Sequence, residues 1–288
     1  MHSAPIWVAG EALIDVLPGD IPVVGGGPAN TAKTLSSLGL DTVFVGGLSS
    51  DDYGRLIESE LGSYGVNLDQ VNRSTLPTAL SVVSVDDFGI ASYQFKLNST
   101  ATFNFGLWLP KEIPSVLHIG SLATVVEPGA SFLYEWAKNL SCVLVYDPNI
   151  RRAVLSDLDE YRKYFLQWAS LASVVKLSNE DLDFLGYSVV EILNLGVDLV
   201  VVTYGHLGLS GFRTGEEIFV PGVKVDVIDT VGAGDTVGAV LVEGIANFGY
   251  LKGQALKAVL ERAALAAAIT CTRAGAKPPT LEELLKFV

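Results

Sequence analysis

The sequence predicts an α/β protein with three layers, in which a mostly parallel sheet lies between two layers of helices. Short runs rich in Val, Ile and Leu alternate along the chain with longer segments of helical spacing, an order typical of such sheets. Of the 288 residues, 49% are hydrophobic, as expected where parallel strands are buried on both faces. Two further segments break the alternation and predict a second, smaller sheet.

Six strand-like runs and four helical patterns make up the predicted main layers. The strands are predicted at 6–9, 42–45, 116–119, 142–146, 173–176 and 199–203, and the helices at 29–38, 52–64, 130–139 and 157–169. In parallel sheets of this kind the ligand crevice lies beyond the carboxyl ends of the strands. Functional residues are therefore expected just after these runs.

The small sheet is predicted from residues 12–24 and 78–97, which have the pattern of consecutive strands. The second segment is predicted as a hairpin around Asp86-Asp87-Phe88-Gly89. Such an added sheet would serve as a lid or as a surface for association with a second copy. Because no repeat, low-complexity segment or long linker occurs, we expect one domain over 1–288 with this lid.

The composition argues against several classes of protein. Nineteen Lys and Arg residues against 32 Asp and Glu give a net charge of -13, which opposes non-specific binding to nucleic acid or an anionic membrane. No apolar run approaches the roughly 20 residues that span a bilayer, and the first residues do not resemble a signal peptide, so a cytoplasmic location is expected. Cys142 and Cys271 lack metal-ligand spacing and are expected to be reduced thiols.

The most informative segment is Asp229-Thr230-Val231-Gly232-Ala233-Gly234-Asp235. Residues 223–228 before it are predicted as a strand, and residues 236–248 after it as a helix. Gly232 and Gly234 can adopt backbone angles that other residues avoid, so the amides of residues 232–235 can converge on an anion at the helix N-terminus. This arrangement is suited to phosphoryl transfer.

Asp235 is the candidate general base. A carboxylate repels a static phosphate but is useful where an attacking hydroxyl must lose its proton. The alternative is an ordinary turn in which Asp235 caps the helix. A dinucleotide-binding loop is disfavoured because its third glycine would be displaced to Gly238, and a P-loop because no Gly-x-x-x-x-Gly-Lys-Ser/Thr occurs.

Two motifs near the start of the chain suit a sugar. Gly25-Gly26-Gly27-Pro28-Ala29-Asn30 precedes a predicted helix, so a ligand can lie close to its backbone while Asn30 both donates and accepts hydrogen bonds. Asp15 follows the first strand and is expected near the same crevice. Each motif also has a purely structural interpretation.

Three further motifs end predicted strands. Pro148 in Asp147-Pro148-Asn149-Ile150-Arg151 stops a strand, so that Arg151 can reach the crevice and stabilise a transferring phosphoryl group, although it could equally be a solvated loop residue. Thr203-Tyr204-Gly205-His206-Leu207-Gly208 could accommodate a base or phosphates. Lys176-Leu177-Ser178-Asn179-Glu180-Asp181 is suited to ordering metal-bound water, or simply to capping a helix at Ser178.

In this order the motifs resemble those of the ribokinase-like (PfkB) family of carbohydrate kinases, in particular its bacterial fructokinase-type branch. The resemblance extends from Val8 to the end of the chain. Its most specific element is Asp229 to Asp235, supported by Gly25 to Asn30, Asp147 to Arg151 and the tail from Cys271 to Pro279. It implies a ribokinase-like three-layer α/β/α sandwich with a β-sheet lid.

The resemblance also implies ATP, Mg2+ and transfer of the γ-phosphoryl group to a primary sugar hydroxyl. Asp235 would be the base, with the amides of Gly232, Ala233 and Gly234 as the anion hole and Arg151 assisting. A monovalent cation such as K+ would lie beside Asp229 and the turn at 271–275. The sugar would be held by Asp15, Gly26, Gly27, Asn30 and Asp235; the nucleotide by Lys176, Thr203, Gly205, Gly208, Gly232 and Gly234; and metal-bound water by Glu180 and Asp181.

Two departures from the family pattern concern the metal and the sugar. The usual Asn-x-x-Glu becomes Ser178-Asn179-Glu180-Asp181, and Phe95 to Ala101 stands where relatives often carry an Arg and an acid. The expected activity is an ATP-dependent kinase of a small sugar, with fructose first. The alternatives are a kinase of ribose, a nucleoside or a sugar acid, or a catalytically silent sugar sensor. Retention of Asp235 argues against the sensor, and a dehydrogenase would require dinucleotide binding.

Overall fold

The computed structural model describes residues 5–85 and 91–286. Within these residues, nine strands form the main sheet, in the order β13-β12-β11-β10-β9-β8-β1-β4-β5. Neighbours from β5 to β11 run parallel, and β12 and β13 are antiparallel. The strands are β1 (Ile6–Ala9), β4 (Thr42–Ser49), β5 (Val71–Ser74), β8 (Val116–Gly120), β9 (Val143–Asp147), β10 (Val174–Ser178), β11 (Leu199–Thr203), β12 (Gly208–Arg213) and β13 (Glu216–Pro221).

A separate small sheet has the order β3-β2-β6-β7. Its strands are β2 (Leu13–Leu17), β3 (Ile21–Gly25), β6 (Leu80–Val85) and β7 (Ala91–Lys96), with an antiparallel pair at each edge and the parallel pair β2/β6 between them. The two segments predicted as consecutive strands therefore do form one sheet. The hairpin turn predicted around 86–89 lies outside the described residues.

Helices cover both faces of the main sheet and create two apolar cores. The helices are α1 (Gly27–Ser37), α2 (Asp52–Ser63), α3 (Gly129–Lys138), α4 (Leu158–Ala169), α5 (Asn179–Leu185), α6 (Val189–Leu193), α7 (Ala233–Phe248), α8 (Gly253–Cys271) and α9 (Leu281–Leu285). Val8, Val145 and Val201 belong to the core beneath α1, α2, α7 and α8, whereas Trp7, Leu144 and Val200 belong to the core beneath α3 to α6. The predicted three-layer α/β/α class is confirmed.

Local predictions fail where pairing or packing decides the structure. Residues 223–228, predicted as a strand, have irregular backbone. The hairpin of β12 and β13 was not predicted; it adds two antiparallel strands at one edge of the sheet. Helix α1 begins at Gly27, so part of the glycine-rich motif expected to precede the helix forms its first turn.

Two further observations concern the cysteines and the helices. Cys142 and Cys271 are free thiols. Among the described helices, none is both long and apolar enough to cross a bilayer.

Candidate active site

The N-terminus of α7 lies beside the carboxyl end of β10. A Cβ atom at Gly234 would lie 3.1 Å from the Lys176 Nζ, so this turn is in close contact with the strand end. Gly232 is the N-cap, with φ of 81°, and a Cβ atom there would lie 2.6 Å from the Ala276 Cβ. Gly232 thus needs both positive φ and the absence of a side chain, whereas Gly234 is helical and needs only the space.

The first amides of α7 lie where the sequence predicts an anion site. The first four amides of an α-helix have no intrahelical acceptor and carry its partial positive charge. Here the Ala233 amide donates to the Thr230 carbonyl at 3.2 Å and closes the turn. The amides of Gly234 and Asp235 come next at the helix start, where an anion is favoured.

Asp235 is buried within this first turn and is not the helix cap. Its side chain is 8% exposed, and Oδ2 accepts a hydrogen bond from the Asn30 Nδ2 at 2.9 Å. Burial raises the pKa of Asp235 to about 6, and the Asp147 carboxylate adds to this rise. The Asn30 hydrogen bond and the Lys176 and Arg151 charges act in the opposite direction. A carboxyl group with a pKa near the operating pH is suited to general-base catalysis.

The glycine-rich motif brings the start of α1 against Asp235. A Cβ atom at Gly27 would lie 2.9 Å from the Asn149 Nδ2 and 3.2 Å from the Asp235 Oδ1. Gly26 has φ of 106°, and a Cβ atom there would lie 2.6 Å from the Glu11 carbonyl oxygen. These glycines therefore permit a close approach of the start of α1 to the loop between β1 and β2 and to α7.

Asp15 lies on β2 of the small sheet, opposite Val23 and Ser81. Its Oδ2 would be 2.2 Å from a Cβ atom at Gly25, so the carboxylate lies over the glycine motif. Burial raises the pKa of Asp15, whereas a Ser81 hydrogen bond and the Arg151 charge lower it. The small sheet thus brings a partly desolvated carboxylate to the same crevice.

Arg151 follows β9 and is exposed. Its backbone amide donates to the Tyr161 hydroxyl at 3.1 Å, and its Nη1 donates to the Ile150 carbonyl at 3.2 Å. Because its charge acts on both Asp15 and Asp235, the guanidinium lies on the side of the crevice between the two sheets. It is placed to meet an anionic ligand.

Lys176 is buried on β10 and forms an ion pair with Asp147. The Lys176 Nζ lies 2.8 Å from the Asp147 Oδ2, with side chains 5% and 4% exposed. Burial lowers the pKa of Lys176, but the charge and hydrogen bond of Asp147 together with the charges of Asp235 and Asp181 more than offset this, so the pKa is above its usual value. Lys176 therefore stays charged beneath the first turn of α7.

The segment after β10 forms a helix cap. Ser178 and Asp181 make a reciprocal capping box at the start of α5, and the other Asp181 oxygen accepts from the Ile150 amide at 3.0 Å. Both Asp181 oxygens are therefore occupied, while Glu180 is exposed. No group of three or more His, Cys, Asp or Glu side chains suited to holding a metal occurs in the part of the chain that is described.

The predicted nucleotide motif at the end of β11 is a tight turn. The Tyr204 amide donates to the Gly208 carbonyl at 2.8 Å, and residues 205–207 form a single 3-10 turn. Gly208 has φ of 122° and would bring a Cβ atom within 2.1 Å of the Val220 carbonyl oxygen. Gly205 has φ of 55° and nothing within 4 Å of its Cβ position, so the turn is open there; Thr203 ends the strand.

Asp229 joins the loop before α7 to the loop after α8. Its Oδ1 accepts from the Val231 amide at 3.1 Å, and its Oδ2 accepts from the Gly275 amide at 2.9 Å. Its own amide donates to the Cys271 carbonyl at 3.2 Å. The predicted turn at 271–275 is therefore directly beside Asp229.

Residues 22–283 match the model of the "pfkB family carbohydrate kinase". The match covers most of the chain and includes most strands of both sheets and the start of α7. This chain belongs to the pfkB family of carbohydrate kinases.

Individual relatives of this pfkB kinase agree with the assignment. "Probable fructokinase-4" of Arabidopsis thaliana is 34% identical over 299 residues, covering 96% of this chain and 90% of that one. The crystal structure of a fructokinase with bound ATP from Xylella fastidiosa has a TM-score of 0.89 at 25% identity, covering 98% of this chain and 97% of that one. A double-mutant fructokinase of Vibrio cholerae O395, with fructose, ADP and potassium ion bound, has a TM-score of 0.87 at 27% identity and coverage of 100% and 99%.

Sequence reasoning did not assign two buried polar groups to the candidate site. Asp147 was noted only as part of a strand-end motif, yet it pairs with Lys176 and acts on Asp235. His118, in the strand-like run 116–119, was assigned no functional role, yet a Cβ atom at Gly238 would lie 3.3 Å from its Nε2. The available signal was that both polar residues occur in strand-like runs whose other side chains are apolar.

Proposed function

We propose that this carbohydrate kinase is an ATP-dependent fructokinase that transfers the γ-phosphoryl group to a primary hydroxyl of fructose. The observation that supports this most directly is the buried Asp235 carboxylate, held by Asn30 at the positive N-terminus of α7. The curated relative and the two solved structures named above all carry the name fructokinase.

In this proposal the sugar lies between the small sheet and the start of α1. Asp15 and Asn30 accept or donate hydrogen bonds to its hydroxyl groups, and Gly26 and Gly27 leave room for the ring. The reacting hydroxyl points to Asp235, which takes its proton as the new bond to phosphorus forms. Positioning and charge stabilisation supply most of the catalysis, as in other phosphoryl transfers.

The phosphoryl group would lie against the amides at the α7 N-terminus. The amides of Gly232, Gly234 and Asp235 stabilise charge on its oxygens, and Ala233 joins them when its bond to Thr230 opens. Arg151 approaches from the exposed side, and Lys176 adds positive charge from below. The rest of the nucleotide would extend along the open turn at Thr203, Gly205 and Gly208.

The cation proposals differ in how well the residues fit them. Mg2+ would neutralise phosphate charge, and because it keeps most of its water and binds substrate phosphates, it needs few protein ligands. Glu180 is exposed and would bind its water, whereas both Asp181 oxygens accept hydrogen bonds from backbone amides. A monovalent cation would be held by carbonyl groups of the 271–275 turn, with Asp229 fixing the loops around it.

We also propose that the small sheet pairs with that of a second copy to form a homodimer. Ile21 is 56% exposed and lies directly opposite Leu17, which is also exposed, so apolar surface is clustered on the β2/β3 pair. Exposed sheet edges of this kind are usually covered.

The test of the proposed activity is ADP release from ATP and Mg2+ with fructose, ribose, glucose, 2-keto-3-deoxygluconate or adenosine, with and without K+. We expect the highest kcat/KM with fructose and faster turnover with K+. Highest activity with ribose, adenosine or the sugar acid would replace fructose by that substrate. Binding of a sugar without any ADP release would favour the sensor.

A further inference from the structure

Three polar side chains lie beneath α7 on adjacent strands of the main sheet. His118 is on β8, Asp147 on β9 and Lys176 on β10, and these strands are parallel neighbours. His118 and Asp147 are 2% and 3% exposed, and Lys176 is 4% exposed. We call this set the β8–β10 polar cluster.

The cluster is not explained by stability alone. Removing an ion pair such as Asp147–Lys176 from water costs several kcal/mol, and apolar residues of similar volume often stabilise a core equally well. The Asp147 Oδ1 and both ring nitrogens of His118 have no hydrogen-bond partner among the described residues. Since buried polar groups are nearly always paired, an incompletely paired cluster next to the candidate base calls for a functional explanation.

Two glycines of α7 face the cluster. Gly234 and Gly238 are four residues apart and so lie on one face of the helix. Cβ atoms at these positions would lie 3.1 Å from the Lys176 Nζ and 3.3 Å from the His118 Nε2. Both glycines have ordinary helical φ, so they are required for close approach to the cluster and not for backbone freedom.

We propose that the β8–β10 polar cluster supports the first two turns of α7. By this packing it positions Asp235 and the anion-binding amides for phosphoryl transfer. Its members are positioning residues, since they act on the reacting groups through α7. This inference rests on the proposed kinase function of the α7 site and names the residues that hold that site in place.

The charges of the β8–β10 polar cluster have a measurable effect on the pKa of Asp235. The Asp147 carboxylate raises the pKa of Asp235 and the Lys176 ammonium lowers it. Burial lowers the pKa of His118 to about 3, so its ring is neutral at working pH. The groups that face Asp235 or its lysine neighbour are Asn30 from α1, His118 from β8, Asp147 from β9, Arg151 from the following loop, Lys176 from β10 and Asp181 from α5.

The first experiment measures the titration of Asp235 in the ligand-free protein by NMR of 13C-labelled aspartate, with the signal assigned through Asp235→Asn. Asp147→Asn, which keeps the side-chain shape, should lower the pKa of Asp235 by about one unit. Adding Lys176→Met to this variant should raise it again by a similar amount. No shift with either change would overturn the proposal.

Lys33→Met is the matched control for the lysine change. Lys33 is also buried and also forms a 2.8 Å ion pair, but with Glu60. When Lys33→Met is added to Asp147→Asn, the pKa of Asp235 should stay unchanged. A pKa shift equal to that caused by Lys176→Met would contradict a specific role of the β8–β10 polar cluster. This titration needs no turnover, so a protein that phosphorylates none of the sugars would refute the proposed function without deciding this inference.

The second experiment is a double-mutant cycle on the packing of α7 against the β8–β10 polar cluster. Gly238→Ala should lower kcat by roughly 10-fold, because small displacements of a catalytic group are costly. Adding His118→Ala, which removes the ring that the new methyl group meets, should recover part of that loss. Losses that simply multiply in the double variant would show that the two residues act independently and would refute the contact, with urea unfolding checking that all variants fold.

Discussion

Asp235 must be buried and yet ionised. Desolvation raises its pKa to about 6, while the Asn30 amide and two cations oppose the rise. At pH 7 to 8 the carboxylate is therefore mostly ionised but remains basic enough to accept a proton. The pKa of Asp235 therefore depends on residues from α1, β9, β10 and the loop after β9.

Asp235→Asn tests the role of this residue. The amide keeps the size of the side chain and an oxygen that can accept from Asn30, but it cannot take a proton. We expect kcat for ADP release to fall by at least about 10²-fold, with the Kd for fructose from calorimetry nearly unchanged.

Asp159→Asn is the control, since Asp159 is an exposed carboxylate of α4 that only forms a surface ion pair with Arg162. Its kcat should equal that of the wild type. Unchanged turnover in Asp235→Asn would remove Asp235 from the mechanism.

Glu11 is a second buried carboxyl group, and it affects stability. Burial raises its pKa to about 7 from 4.5; its Oε2 accepts from the Ala123 amide at 3.0 Å, while its Oε1 has no partner among the described residues. The folded state therefore holds this proton more tightly than the unfolded state. Its contribution to the free energy of unfolding is present below pH 4.5 and is lost as pH rises to about 7.

Glu11→Gln should therefore stabilise the protein in alkaline but not in acidic solution. The amide keeps an acceptor for Ala123 and removes the buried charge, so we expect a gain of up to about 3 kcal/mol at pH 8 and almost none at pH 4. Urea unfolding at both pH values measures this. The exposed Glu261→Gln should change neither value, and an equal gain at both pH values would contradict the titration argument.

At the scale of elements, the N-terminus of α7 depends on Gly232. The strand ends predicted from local pattern are confirmed for β1 and β11, whereas β4, β8, β9 and β10 end one to four residues later than predicted. The conformation of Gly232 was expected from its place in the motif, but its contact with Ala276 was not. That contact is made between segments that are distant in the sequence.

Gly232→Ala should damage the anion site more than it damages the fold. A side chain at φ of 81° costs roughly 1 to 2 kcal/mol, and the new methyl group would meet the Ala276 Cβ at 2.6 Å. The helix start must then shift, so we expect kcat/KM for ATP to fall at least about 10-fold.

Gly249→Ala is the matched control at the other end of the same helix. Gly249 has φ of 68° but nothing within 4 Å of its Cβ position. It should lose a similar amount of unfolding free energy in urea while keeping kcat/KM. An equal loss of activity in both variants would show that helix stability, and not the α7 N-terminus, is responsible.

At the scale of the whole molecule, the small sheet should determine the oligomeric state. If it pairs with a second copy, sedimentation equilibrium should give twice the 30.6 kDa chain mass. Ile21→Asp places a charge on the apolar β2/β3 surface and should give monomers. Ile113→Asp is the control, because Ile113 is similarly exposed at 53% but lies outside the small sheet; a monomeric wild type would refute the dimer.

The sequence by itself determined the fold class, most strand positions and the motifs that surround the site. These depend on the spacing of apolar residues and on glycine, proline and polar residues within a few positions, which a linear pattern contains. It could not show that Asn30 bonds to Asp235 across 205 positions, or that Lys176 pairs with Asp147. Those contacts follow from strand order and helix packing, because pairing between distant segments decides which side chains meet.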